Sequence, residues 1–203
     1  MTTPTRWLYR TLFASLAFVA THAAAVVLTF DTLGPNGSPF GGHTEAGGFE
    51  VATTAGDVFV GTLFGNPAPS LFGGPSFGSP SGTIAVSHGG GLFSFAAVDL
   101  AANNGAATYS FVGMKLGATV FSQDGAEAAR FAATPFGFDT VLSTDASLID
   151  TLLISLTGFG TSYNIDNINV ALSAIPEPET YAMLLAGLGL MGFIARRKKL
   201  RDV

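Results

Sequence analysis

The chain has 203 residues, room for one domain of ordinary size plus end segments, and only 11% of them are charged where a soluble domain usually has roughly a quarter. Between residues 26 and 175, eleven Asp and Glu stand against two basic residues, Lys115 and Arg130, so this part carries a net charge of about −9 and excludes nucleic acid by repelling phosphate backbones. There is no Cys, which excludes a disulfide framework, a thiolate metal site and a Cys nucleophile.

Residues 1–25, "MTTPTRWLYRTLFASLAFVATHAAA", begin with Arg6 and Arg10 and continue into the short apolar core "TLFASLAFVA". Small residues follow, with Ala23 and Ala25 at the two positions that a signal peptidase reads. The segment is expected to be a signal peptide cut after Ala25 or two residues earlier, so that the mature chain begins between Ala24 and Val26; the alternative is a retained anchor.

From Val26 to Ala174 short alternating runs repeat between turn residues. In chain order they are "VVLTF", "GFEVATT", "DVFVGTLF", "TIAVSH", "GLFSFAAVDLA", "ATYSFVGMKL", "ATVFSQD", "FDTVLS", "LIDTLLISL" and "SYNIDNINVAL". Their length and their Val, Ile, Thr and Phe content predict an all-β module, an antiparallel β-sandwich of residues 26–174. Phe93 and Phe95 alternate as a two-layer core requires. "NNG" at 103–105 predicts a hairpin between two of the longest runs. "AEAARFAA" (126–133) is expected to form one or two helical turns, and "GNPAPSLFGGPSFGSPSG" (65–82) a loop.

That loop contains Gly74-Pro75-Ser76-Phe77-Gly78, which matches G-x-S-x-G. Hydrolase chemistry needs the Ser on a strand-to-helix turn, with an acid and a His following in order. Here Pro75 precedes the Ser, no helix is expected after it, and His88 is the only His downstream. The loop reading is preferred. His43 and His88 are the only His of the module. Glu45 and Glu50 lie near His43, at a spacing that matches no metal motif, so a solvated His is expected there. The scattered carboxylates assign no glycosidase pair.

One constellation stands out. In "SYNIDNINVAL" simple alternation puts Asp166 on one face with Ile168, Val170 and Leu172. A carboxylate entering an apolar face needs a partner, and only Lys115 and Arg130 could supply a basic one. Asp31, closing the first run, is its neighbour if the end strands pair. Asp31 and Asp166 with backbone carbonyls would suit Ca²⁺; the alternative is that Asp166 accepts backbone N–H groups at a strand corner. No other cofactor is expected.

The end of the chain differs in kind. Thr180 to Ala195 are sixteen residues without a charge, a helix of ~24 Å at ~1.5 Å per residue against a ~30 Å hydrocarbon layer. Glu177 and Glu179 favour a helix N-terminus, and Arg196, Arg197, Lys198 and Lys199 follow as a cytoplasmic basic stop. One transmembrane helix over 180–195 is expected, with both basic flanks inside and the acidic module outside.

"PEPETYAMLLAGLGLMGFIARRKK" resembles the PEP-CTERM sorting tail of exported Gram-negative proteins, in the motif Pro176-Glu177-Pro178, the short apolar helix and the basic end. The tail is assigned to residues 175–199. The resemblance implies recognition and cutting by a membrane transpeptidase of the exosortase class, in bacteria that make exopolysaccharide. A plain C-terminal anchor is the alternative. "YNIDNINV" and "GLFSFAAVDLA" also resemble strands of jelly-roll carbohydrate-binding-like domains, which implies glycan contact through aromatic side chains. The sole Trp is Trp7, in the signal, so Tyr109 and Tyr163 would have to serve. Two functions follow as expectations: a non-catalytic surface or matrix protein, or a glycan-binding or glycan-cutting module.

Overall fold

The computed structural model describes residues 25–130, 137–173 and 178–199. Twelve strands precede one helix: β1 (Ala25–Leu28), β2 (Gly42–Thr44), β3 (Glu50–Gly56), β4 (Phe59–Gly61), β5 (Ser70–Gly73), β6 (Ser81–Ser87), β7 (Phe93–Ala102), β8 (Ala107–Lys115), β9 (Ala118–Glu127), β10 (Asp139–Leu142), β11 (Thr151–Gly158), β12 (Tyr163–Leu172) and α1 (Pro178–Lys199). All ten runs read from the sequence are strands. The two further ones are β2 and β5, and β5 lies inside the Gly/Pro/Ser stretch expected to be a loop. Its "SLFG" was masked by the turn residues around it, but Leu71 is fully buried and pairs with Ile165.

The strands form two antiparallel six-stranded sheets. The first runs β10-β7-β12-β5-β4, with β1 also on β12, and the second runs β2-β3-β6-β11-β8-β9. The alternation of β6 and β11 puts every second residue in the core, as period-two burial requires. Edge-to-face aromatic pairs tie the layers together: Phe49 on Phe93 and Phe95 on Phe111, each with ring centroids 5.2 Å apart. Such pairs add about 0.5–1.5 kcal/mol beyond their area.

Two expectations are corrected. Asn103–Gly105 does not close a hairpin, because β7 and β8 belong to different sheets. The Asn104 and Gly105 amides both donate to Thr161 Oγ1, and Asn103 N donates to Ser162 O. This pins the turn to the β11–β12 connection, which crosses between the sheets at the same place. The true tight hairpin is β8–β9, whose turn residues Leu116 and Gly117 both have positive φ, the type I′ geometry that suits strand twist. The helical turns expected at 126–133 are also absent where described: Ala126 and Glu127 continue β9, and Ala129 bridges to Ala102. Sheet pairing overrides the helix propensity of alanine there; residues 131–136 lie outside the described residues.

Ala23–Ser173 is one compact unit, and α1 belongs to another. The helix extends beyond 180–195 at both ends. Proline is tolerated in a first helical turn, and basic residues in the last turn favour the dipole. Among the described residues no helix is long and apolar enough to cross a membrane.

Candidate functional site

The edge of β12 remote from β7 is shared by two strands. β5 pairs with Tyr163–Ile165, and β1 pairs with Ile168–Ala171. Asp166 and Asn167 fall in the gap between them. There the register with β7 shifts between Asp166 and Asn169, and Asn167 has φ 46°, the left-handed conformation that Asn tolerates. This bulge changes the parity of the strand: Ile165 and Ile168 both enter the core, while Asp166 takes the opposite face. The sequence expectation that Asp166 shares a face with Ile168, Val170 and Leu172 is therefore corrected, since simple alternation has no way to register an inserted residue.

Asp166 is fully buried all the same, beneath the loop that carries Asn66, and it sits directly across from Asp99 on β7. Thr140 of β10 lies across from Asp99 on the other side. The four carboxylate oxygens are all engaged. Asp166 Oδ2 accepts from Asn66 N at 2.6 Å and Oδ1 from Asn167 N at 2.8 Å. Asp99 Oδ1 accepts from Thr140 Oγ1 at 2.6 Å, and Oδ2 from Asn66 Nδ2 at 3.0 Å and Asn167 Nδ2 at 2.9 Å. Neither basic residue of the module takes part, for Arg130 pairs with Asp139 and Lys115 is exposed at the β8–β9 turn. Burial pushes the Asp166 carboxyl up to about 7, against the pull of its two backbone donors, and the charges of Asp31 and Asp99 push the same way.

The end strands do pair, so Asp31 lies close enough for its charge to act on Asp166. Sequence reasoning missed Asp99. Its signal was a lone acid inside the apolar run "AAVDLAA", which always requires a partner. Among the described residues no group of three or more His, Asp or Glu could hold a metal ion. The donors around the two carboxylates do part of what a counter-ion would do.

The other candidates fall elsewhere. Ser76 sits on a single 3-10 turn (Pro75–Phe77) with no α-helix behind it, and His88 engages Gly47 O and the Phe49 ring instead. Tyr163 is fully buried against Gly73 and Gly82, with its hydroxyl pushed up to about 12 by burial and then by the charge of Asp57. Tyr109 stacks on Phe111 at 4.8 Å. A different aromatic cluster is half-buried, with one ring exposed. Phe59 and Phe72 pair across β4 and β5 on the face opposite the core residues Val60 and Leu71, and Phe77 packs on both. Of the sorting motif, Pro176 and Glu177 lie outside the described residues and Pro178 opens α1; Arg196, Arg197, Lys198 and Lys199 form its last turn.

The chain carries a PEP-CTERM protein-sorting motif, which matches residues 174–199. No curated protein matches the chain. The sandwich is similar in fold to carbohydrate-binding modules. A module solved as "TmCBM61 in complex with beta-1,4-galactotriose" is 11% identical with TM-score 0.39, covering 64% of this chain and 92% of its own. CBM29_1 from Piromyces equi is 10% identical with TM-score 0.43, covering 75% and 91%. The CBM22-1 xylan-binding domain of Paenibacillus barcinonensis Xyn10C is 12% identical with TM-score 0.41, covering 77% and 99%.

A carboxyl whose folded pKa is raised stabilises the fold below its unfolded pKa and loses that contribution as pH rises through the folded value. With a chelator present, wild type should therefore lose stability relative to Asp166→Asn between about pH 4 and pH 7, by up to roughly 4 kcal/mol. Denaturant midpoints of both proteins across this range check it. Parallel pH profiles would show that Asp166 does not titrate in this window.

Proposed function

We propose that the chain is an exported, non-catalytic surface or extracellular-matrix protein, delivered through its C-terminal tail to an exosortase-class membrane transpeptidase in an exopolysaccharide-producing Gram-negative bacterium. The observation that carries this reading is the sorting motif at 174–199, immediately behind a sandwich whose last strand ends at Leu172. Residues 1–25 act as the signal peptide, Pro176-Glu177-Pro178 as the recognition motif and Arg196 to Lys199 as the stop. Replacing the three motif residues by Ala should leave the tail uncut in a host with the enzyme, seen as an intact mass that retains residues 174–203. Unchanged processing would assign the cut to an ordinary protease.

For Asp31 and Asp166 we propose a Ca²⁺ that joins the first and last strands, supported by β1–β12 pairing and by the charge of Asp31 acting on the buried Asp166. Calcium that binds the folded state alone raises stability by about 2.7 kcal/mol at a hundred times its dissociation constant. Wild type should melt higher in calcium than in chelator, and Asp166→Asn should not. A single melting temperature for wild type in both would leave Asp166 as a strand-corner acceptor served by Asn66 and Asn167.

Glycan binding is the second reading, favoured by the aromatic cluster Phe59, Phe72 and Phe77, with Phe77 46% exposed. Sugar rings stack their C–H faces on such surfaces. A glycan array should then show binding by wild type that Phe77→Ala loses, and an empty array leaves the structural role.

A further inference from the structure

At the edge of the second sheet, β2 ends in a different cluster of polar groups. His43 lies within β2 and Glu45 follows it by two residues with extended backbone, φ −95° and ψ −177°. Residues two apart on an extended chain project to the same side. The Glu45 side chain is only 7% exposed, and its Oε1 is buried without a hydrogen-bond partner. His43 Nε2 is 3.9 Å from that oxygen, too far for a hydrogen bond. Thr32 Oγ1, from the turn that follows β1, is hydrogen-bonded to the same nitrogen at 3.3 Å.

We propose that His43 and Glu45 are ligands of a first-row divalent cation of the zinc class, with Thr32 Oγ1 at its border and water filling the remaining positions. A tetrahedral zinc with bonds of about 2.0–2.2 Å holds its nitrogen and oxygen ligands about 3.3–3.5 Å apart. The separations around His43 Nε2 bracket this value. A buried carboxylate oxygen without a donor is costly, and a cation between it and the imidazole removes that cost. Mixed imidazole and carboxylate donors select zinc, copper or nickel over the hard cations that prefer oxygen alone. The site is independent of the Asp99–Asp166 pair, which holds only oxygen and amide groups. It also gives the His43-x-Glu45 spacing a role that the sequence motif alone did not indicate.

The competing account is a simple His43–Glu45 ion pair, which requires no metal. The test is calorimetric titration of the metal-stripped full chain with zinc chloride, repeated with calcium and magnesium chloride and with the variants His43→Gln and Glu45→Gln. Wild type should show one saturable zinc event that is lost in both variants, while any calcium event, which belongs to Asp31 and Asp166, is the same in wild type and both variants. Zinc binding that persists in either variant, a calcium or magnesium event that both variants also lose, or no zinc binding by wild type would each overturn the site. Should a variant misfold, long-range nitrogen–proton spectra of wild type decide. Zinc must then shift the ring nitrogens of His43 and leave those of His88 unmoved; a shift at His88 instead, or at neither, would overturn the site equally.

Discussion

Two carboxylates face each other across β7 and β12 with no cation of the chain between them, and the arrangement of the first sheet follows from holding them there. Like charges directly opposite in a sheet destabilise it. The compensation is supplied by amide and hydroxyl groups from three separate places: Asn66 in the loop before β5, Asn167 in the bulge and Thr140 on β10. The bulge is what makes this work. It frees the Asn167 amide group to reach Asp99, and it leaves a gap between β1 and β5 through which the Asn66 loop reaches Asp166. Loop, bulge and edge strand are thus joined by one polar knot on the face of the sheet opposite the apolar core, on which Val141 of β10 also packs.

This division explains what was legible in the sequence. Wherever apolar residues alternate against one layer, as in "TIAVSH" and "LIDTLLISL", reading the pattern located the strand. β5 was lost because "SLFG" is flanked by Gly and Pro on both sides, and β2 because "GHT" contains no apolar residue at all. The Asn103–Gly105 turn was read as a hairpin from its local chemistry. The sheet to which each neighbouring strand belongs depends on Thr161, more than fifty residues away, and no local pattern encodes that.

The candidate sites divide along the same line. The sorting tail is linear, and its order of motif, apolar run and basic end is readable without a fold. Asp166 was singled out by chemistry alone, as an acid near an apolar face, but its face and its partner Asp99 depended on a register shift. His43 and Glu45 looked like loop residues, and only the folded edge shows that the carboxylate is buried and turned toward the imidazole.

β12 has a further consequence through its place in the chain. It pairs with β7, β5 and β1, yet it is the last strand to be made. Until Leu172 is available the first sheet consists of two separate pairs, β10–β7 and β5–β4, and β1, made first, has no partner at all. Assembly of this sheet therefore waits on the far end of the polypeptide, and closing residues 25 to 171 into register is a late, long-range event of the kind that slows folding. The sorting tail begins only a few residues later. The sorting motif at 174–199 thus lies directly behind the strand on which assembly of this sheet waits.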